Sequence, residues 1–427
     1  MSCCECSCAQ IVPSTLLRYN RAGRLRDADS LKSMARQEWG WRTGVTRREA
    51  LRGVASFLAG SPLLFGQQDP FRDHSRVPGI DELIDAFDFE AAAYEKLPRA
   101  AYDYTAYGAA GEFTLRRNRE VFKWVDLIPK GVVDVQSIDA STEVLGTKMR
   151  FPIMVAPTAG HSALHPSAES GTHKGCTAAA GTPFIVSRVA SQPIDEIAAA
   201  ADGPLWAQLY PLPEIEANRE PLEKAQAAGC KAIVVTVDQE AAYYERALHY
   251  RNLSRIPGRP RRQRRDLNRY RVPTTRLWYE WNLFDALRPM VKVPMLSKGI
   301  LTAEDAVRSI DHGCDGVVVS NHGGRALDYS PSSLEVLPEI VDAVAGRVPV
   351  LVDSGFRRGS DILKALALGA SAVCLGRVPR GGLGAFGPPG VQRVLEIMQA
   401  ELVMAMAHTG RPTFASIDRS LVRADLP

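Results

Sequence analysis

A histidine and an arginine three residues apart stand in the segment SNHGGRALD, residues 320–328. A histidine side chain exchanges protons near neutral pH and is a frequent general base, whereas an arginine presents paired N–H donors to a carboxylate. An aspartate at position 238 is a candidate to orient the imidazole and to stabilise its charged form. His322, Arg325 and Asp238 therefore indicate acid–base chemistry on an anionic substrate.

Two glycine and arginine pairs lie further along the chain, Gly355 with Arg357 and Gly376 with Arg377. A glycine lets backbone N–H groups approach an anion closely, and an arginine adds charge and a fork of donors. Each pair follows a β-branched run directly. The two turns together predict a site for the phosphate of a cofactor or substrate.

These residues need a scaffold that gathers the ends of many strands. Eight short apolar runs, each followed by a helical pattern, are predicted strands: 151–156, 183–187, 205–210, 232–238, 293–298, 316–321, 349–353 and 371–376. Strands that are apolar on both faces and alternate with helices predict an α/β fold, a (β/α)8 TIM barrel. A doubly wound sheet is the rival, but no G-x-G-x-x-G opens the first strand-to-helix turn.

The barrel domain is expected to occupy residues 80–427, beginning with a helical lead-in. Residues 1–79 are predicted to be a partly disordered leader, in which Arg47 and Arg48 precede a weakly apolar stretch. This pattern resembles a twin-arginine export signal, although a short amphipathic helix would share it and Met34 is a plausible start. The location therefore stays open between periplasm and cytoplasm.

The connection between the fourth and fifth predicted strands is the longest, and residues 251–276 contain ten arginines against the single acid Asp266. Long loops on the carboxyl face of a barrel are commonly lids, so a lid is predicted here. The alternative is a basic patch that attracts anionic substrates or contacts an anionic membrane or partner.

Composition excludes several classes of protein. The net charge is +4, from 52 basic and 48 acidic residues, which argues against nucleic acid as the main partner. No apolar run reaches the length of about 18 residues that a membrane span needs. Four of the eight cysteines crowd positions 3, 4, 6 and 8 and the rest stand singly in apolar segments, so neither a disulfide framework nor a metal site is predicted.

Three segments resemble the FMN-dependent α-hydroxy-acid oxidase and dehydrogenase family, which includes glycolate oxidase, lactate oxidase, mandelate dehydrogenase and flavocytochrome b2. They are 320–328, 353–359 (DSGFRRG) and 363–370 (LKALALGA). The resemblance runs from about residue 80 to the C terminus. It implies a TIM barrel that uses FMN to oxidise an L-2-hydroxy acid, with oxygen, a quinone or a partner protein as electron acceptor. It also implies a homo-oligomer, often a tetramer.

The resemblance implies a role for each polar strand end. The catalytic residues would be His322 as base, Asp238 and Tyr210. The substrate would be bound by Tyr104, Tyr210, Arg246, His322 and Arg325. The residues implied for FMN are Pro157, Thr158, Ala159, Ser187, Gln208, Thr236, Lys298, Ser320, Asp353, Ser354, Gly355, Phe356, Arg357, Gly376 and Arg377.

Departures from the family pattern leave the substrate open. Arg246 fits only if residues 239–245 contain a one-residue insertion, and Val189 replaces a frequent aromatic, which leaves room above the flavin. The α-hydrogen would leave as hydride or after carbanion formation. Two other readings remain: an FMN barrel acting on a phosphorylated substrate, such as an isomerase, and a catalytically silent flavin-binding protein.

Overall fold

The computed structural model describes residues 78–238 and 279–426. Several predictions therefore lie outside the described residues. They are the leader up to residue 77 with its paired arginines and clustered cysteines, the lid at 251–276, and the placement of Arg246. Each of them stays a prediction.

A helical lead-in precedes the barrel. After a 3-10 turn at Ile80–Glu82 it consists of α1 (Ala86–Lys96), α2 (Arg99–Ala106), α3 (Phe113–Glu120), β1 (Val125–Leu127), β2 (Thr142–Val144) and β3 (Thr147–Met149). Asp85 caps α1, because its carboxylate accepts hydrogen bonds from the N–H groups of Phe87 and Asp88. The helical pattern predicted from residue 80 is thus divided into a turn and a helix.

Eight parallel strands close into a barrel, which confirms the predicted fold class. They are β4 (Ile153–Val155), β5 (Phe184–Val186), β6 (Leu205–Leu209), β7 (Ile233–Thr236), β8 (Met295–Ile300), β9 (Gly316–Val319), β10 (Val350–Asp353) and β11 (Ala372–Leu375). Neighbours in sequence pair around the ring, and β11 closes it on β4. Seven of the eight predicted runs contain one of these strands, and the run 293–298 overlaps β8, which extends two residues further to Ile300.

Helices follow the strands and cover the barrel. They are α4 (Ala168–Ala178), α5 (Ile194–Ala199), α6 (Arg219–Ala227), α7 (Asn282–Leu287), α8 (Ala303–Asp311), α9 (Ser333–Val344), α10 (Gly359–Ala367) and α11 (Arg377–His408). The last of them breaks at Phe386 and Gly387, just before two prolines. The final strand, β12 (Val422–Ala424), returns to pair with β1. No helix in the described ranges has both the length and the apolar character to span a membrane.

Side chains alternate between the barrel interior and its outer face. The interior cluster includes Met154, Ile185 and Trp206, and the β2–β3 hairpin joins it because the Trp206 indole donates to the Thr147 hydroxyl at 2.9 Å. The four cysteines within the described residues, Cys176, Cys230, Cys314 and Cys374, are free and buried, as small core residues should be. Burial raises the pKa of the Cys230 thiol to about 12, so it is not a reactive thiolate.

The lead-in is fastened to the loop after β9 by buried polar groups. The Asp328 carboxylate accepts hydrogen bonds from the backbone N–H groups of Gly111 and Thr114, both at 2.9 Å. The side-chain amides of Asn118 and Asn321 donate to each other, at 2.9 and 2.7 Å. These contacts fix α3 and the loop before it over the carboxyl end of the barrel.

We expect Asp328→Ala to lower the free energy of unfolding by about 3 kcal/mol, because two buried N–H groups lose their acceptor. The measurement is the thermal midpoint of the purified protein. Leu327→Ala is the matched control, since the Leu327 side chain is adjacent and exposed. Equal midpoints for the two variants would contradict the fastening role of Asp328.

Candidate active site

A cavity opens at the carboxyl ends of the barrel strands. Most of the predicted site residues line it: Tyr104, Pro157, Thr158, Ala159, Ser187, Tyr210, Lys298, His322, Arg325, Asp353, Ser354, Gly355, Phe356, Arg357, Gly376 and Arg377. Three others are buried beside residues of the lining. Gln208 is hydrogen-bonded to Ser187 and Ser320 to Lys298, and Thr236 is paired with Lys298 across β7 and β8. Asp238 contacts His322 directly. The structure therefore brings together every predicted site residue that it describes.

His322 follows β9 and is held by its neighbours on both ring nitrogens. Its Nδ1 lies 2.8 Å from an oxygen of Asp238, and its Nε2 lies 3.5 Å from the Tyr210 hydroxyl. Its backbone N–H donates to the Ser320 hydroxyl at 3.0 Å, which supports a left-handed φ of +58°. Because a carboxylate accepts from Nδ1–H, Nε2 is the proton-accepting nitrogen beside the cavity.

Gly299 lets Asp238 come this close. The pairing of β8 with β9 changes register between Lys298 and Ile300, and Gly299 between them has a φ of +105°. A Cβ at this position would lie 2.6 Å from the Cβ of Asp238. A residue with a side chain would therefore displace the aspartate from the histidine.

Arg325 is anchored to the lead-in. Its guanidinium donates to the backbone oxygen of Tyr104 at 2.8 Å and to the Tyr107 hydroxyl at 2.9 Å, and it lies 4.0 Å from the centre of the Tyr107 ring. Tyr107 is absent from the sequence prediction. The sequence points to it only through the aromatic-rich segment 102–107, in which the family resemblance gives a role to Tyr104 alone.

Lys298 is buried beside two polar partners. Its ammonium donates to the Ser320 hydroxyl at 2.9 Å and lies 3.2 Å from the Asp353 carboxylate. Burial alone would lower the pKa of Lys298, but the charges of Asp353 and Asp238 outweigh it and leave that pKa raised. A fixed positive charge therefore stands at the base of the cavity.

Two buried polar groups at the strand ends lack partners among the described residues. They are the Nε2 of Gln208, on β6, and the hydroxyl of Thr236, on β7. The other end of the Gln208 amide accepts hydrogen bonds from the Ser187 hydroxyl and from the backbone of Arg188, at 3.3 and 3.1 Å. Buried polar atoms are rarely left unsatisfied, so this edge fits a ligand with its own donors and acceptors, such as a flavin ring.

The turn after β10 requires a glycine. Gly355 has a φ of +92°, and a Cβ on it would lie 2.0 Å from the backbone oxygen of Asn118. The lead-in can therefore pack against this turn, and backbone N–H groups stay accessible for an anion.

The arginines of the two predicted phosphate turns already have protein partners. Arg357 contacts the Glu90 carboxylate, and Arg377 donates to the backbone oxygens of Thr105, Tyr107 and Gly323, each at 2.9 Å. Burial, together with the charges of nearby arginines, lowers the pKa of Arg377 to about 9. A phosphate would relieve this repulsion, so the residues present fit a phosphorylated cofactor.

Arg380 lines the cavity without having been predicted. It lies three residues after Arg377, in the first turn of α11, so the two side chains emerge from one face of the helix. That spacing is visible in the sequence. Neither motif that predicts the phosphate site includes Arg380.

Comparison with known proteins agrees with this geometry. The family model described as FMN-dependent dehydrogenase matches residues 93–424. A peroxisomal (S)-2-hydroxyacid oxidase of Arabidopsis thaliana is 38% identical over 357 residues, covering 81% of this chain and 98% of the relative. Glycolate oxidase of Spinacia oleracea is 37% identical over 357 residues, covering 81% and 96%.

Solved structures give the same result. A crystal structure of mandelate oxidase is 34% identical with a TM-score of 0.72, covering 81% of this chain and 99% of that one. A mutant of the active chimera of (S)-mandelate dehydrogenase is 36% identical with a TM-score of 0.72, covering 80% and 100%. Fold and site together define a flavin-dependent barrel oxidoreductase. The chain belongs to the FMN-dependent dehydrogenase family, and its cofactor is FMN.

We expect the double variant Arg357→Ala with Arg377→Ala to lose FMN, because the phosphate would keep backbone donors but lose two charged partners. The affinity should fall about a hundredfold or more. The measurement is the flavin content after gel filtration. The pair Arg219→Ala with Arg347→Ala removes two exposed arginines and should retain the cofactor. Full flavin in the first double variant would place the phosphate elsewhere.

Proposed function

We propose that this chain oxidises an (S)-2-hydroxy acid to the 2-oxo acid, with the roles given below to its own residues. The observation that carries the proposal is the position of His322, with Asp238 at Nδ1 and the Tyr210 hydroxyl near Nε2, in the same cavity as Arg325. A base and a carboxylate-binding cation at one site suit a substrate that has a carboxylate beside an oxidisable hydroxyl.

The cofactor would be held along the strand ends. Gln208 and Thr236 offer their unpartnered polar atoms to the ring, and Lys298 adds a fixed positive charge. Arg357 and Arg377 would take the phosphate. Bound FMN supplies the chemistry that protein side chains lack, because it accepts the two electrons lost from the α-carbon of the substrate.

Arg325 would fix the substrate through its carboxylate. Its contacts with Tyr104 and Tyr107 hold the guanidinium in one orientation, so paired N–H donors meet the carboxylate at a defined angle. The hydroxyls of Tyr104 and Tyr210 border the same cavity and would bind the remaining substrate oxygens. Orientation of this kind contributes to rate as well as to affinity.

His322 would move the proton. Its Nε2 accepts a proton from the substrate, and the positive imidazolium that results is stabilised by Asp238, 2.8 Å from Nδ1. The Asp238 carboxylate also keeps the ring from rotating, so that Nε2 continues to face the substrate.

The final electron acceptor is proposed to be oxygen. This rests on the names of the relatives, among which are glycolate oxidase and mandelate oxidase. If the proposal holds, an oxygen electrode records the consumption of oxygen during turnover. If only a quinone reoxidises the flavin, no oxygen is consumed and oxygen is not the acceptor.

The family resemblance also implies a homo-oligomer, and this stays a prediction that gel filtration can test.

We expect His322→Ala to bind FMN normally but to lose flavin reduction, because the variant lacks the base and keeps the phosphate site. The measurement is anaerobic bleaching of the flavin absorbance by a panel of 2-hydroxy acids. His312→Ala is the matched control, since His312 also pairs with an aspartate, Asp285, at 2.8 Å but lies outside the cavity. Normal bleaching by the His322 variant would remove the histidine from its proposed role.

We expect Arg325→Lys to lower the limiting rate of flavin reduction by on the order of a hundredfold, because a lysine keeps the charge but lets the substrate pivot. Stopped-flow absorbance at saturating substrate measures this rate. A wild-type limiting rate combined with weaker binding would show that Arg325 supplies charge alone.

A further inference from the structure

Arg380 is a buried cation with an unused donor. It is 4% exposed, its Nε donates to the Thr105 hydroxyl at 3.0 Å, and one terminal nitrogen donates to the backbone oxygen of Ala159. The other terminal nitrogen, Nη2, is buried and has no hydrogen-bond partner among the described residues. A charged donor left in this state is costly unless a ligand satisfies it.

The described part of the chain also gives Arg380 no counterion within salt-bridge distance. Other buried arginines there are paired: Arg357 contacts Glu90, and Arg411 lies 3.3 Å from Asp418. Burial and the nearby charge of Arg325 lower the pKa of Arg380 to about 10, although Tyr104 and the more distant Glu169 carboxylate act in the opposite direction. The site therefore carries a positive charge that an anion would stabilise.

Arg380 lies near Arg325, the proposed ligand of the substrate carboxylate, on the wall of the same cavity. Its guanidinium carbon lies 5.4 Å from the centre of the Tyr104 ring, and that of Arg325 lies 5.0 Å from the same ring. The bond to Ala159 places Arg380 beside the end of β4, on the cavity wall that also carries Thr158. Arg380 also borders a second cavity together with Arg357 and Arg377, but Arg357 is paired with Glu90 on the lead-in helix α1.

The anions of the proposed function are already assigned. The phosphate of FMN is assigned to Arg357 and Arg377, the substrate carboxylate to Arg325, and Lys298 is paired with Asp353 at 3.2 Å. None of these anions is assigned to Arg380. Val189 borders the same cavity with a small, half-exposed side chain, so a substrate longer than glycolate has room.

We propose that Arg380 binds a second carboxylate of the substrate, so that the enzyme prefers 2-hydroxydicarboxylic acids to 2-hydroxymonocarboxylic acids of the same length. This inference rests on the proposed function. It adds a specificity-determining cation at the side-chain end of the substrate, where a charge-assisted hydrogen bond from Nη2 would distinguish a carboxylate from a methyl group.

The test compares (S)-malate with (S)-2-hydroxybutyrate, which have equal chain lengths and differ by one carboxylate. Anaerobic flavin reduction is measured for the wild type, Arg380→Met, Arg380→Lys and Arg347→Met. Arg347 is an exposed arginine in the turn before β10, at the end of the barrel opposite the cavity, so its replacement makes the same change in net charge away from the reacting groups.

The wild type should favour malate, and Arg380→Met should reduce the ratio of malate to hydroxybutyrate efficiency by on the order of tenfold to a hundredfold. Arg380→Lys should keep part of the preference, and Arg347→Met should keep all of it. Binding of the unreactive acids succinate and butyrate, followed by the flavin absorbance, gives a second readout that needs no turnover. Succinate should bind more tightly, and only while residue 380 is cationic.

Three results would overturn the proposal. An equal preference in the wild type and in Arg380→Met would show that the guanidinium does not contact the substrate. Loss of FMN from Arg380→Met, measured by flavin content, would make Arg380 a third phosphate ligand instead. Equal binding of succinate and butyrate by the wild type would exclude a second carboxylate site. A failure of the proposed function is distinct, because then neither hydroxy acid would bleach the wild-type flavin.

Discussion

Five cationic side chains, three of them buried and two partly buried, lie around one cavity, and this is the constraint on which the site depends. They are Lys298, Arg325, Arg357, Arg377 and Arg380. The protein compensates them in part, with carboxylates on Lys298 and Arg357 and with backbone oxygens on Arg377. Like charges in a desolvated site repel one another, so the remaining compensation must come from bound anions. The same constraint explains why a phosphorylated cofactor and an acidic substrate suit this barrel.

The barrel alone does not complete this arrangement. The backbone oxygens that receive Arg325 and Arg377 belong to Tyr104, Thr105 and Tyr107, at the end of α2 and just beyond it. Asp328 and the paired amides of the lead-in and the β9 loop hold that segment in place. The lead-in is therefore part of the cavity wall, and its packing determines where the arginines point.

The barrel could be predicted because it depends on local patterns, the apolar runs that mark its eight strands. The contact of His322 with Asp238 could be predicted because both residues follow strands, and strand ends meet at one face of a barrel. Their roles as base and partner stay predictions. Tyr107 was missed because its contact with Arg325 arises from docking of the lead-in, which no periodicity reports. The bond of Arg357 to Glu90 was missed for the same reason. Arg380 is one of many arginines in the sequence. Its lack of a counterion among the described residues becomes evident only when its neighbours in the fold are known.

The completion of the cavity by both ends of the barrel domain has a consequence for how the enzyme matures. The bond from Arg377 to the backbone of Thr105 joins residues 272 positions apart, and the last strand of the ring closes on the first. Such distant pairings form late, because much chain must be ordered before they contribute. A chain that has been synthesised only as far as the start of α11 lacks Arg377 and Arg380, two of the five cations around the cavity. The yellow colour of the flavin would therefore mark chains that have been synthesised to the end, and truncated products should remain colourless.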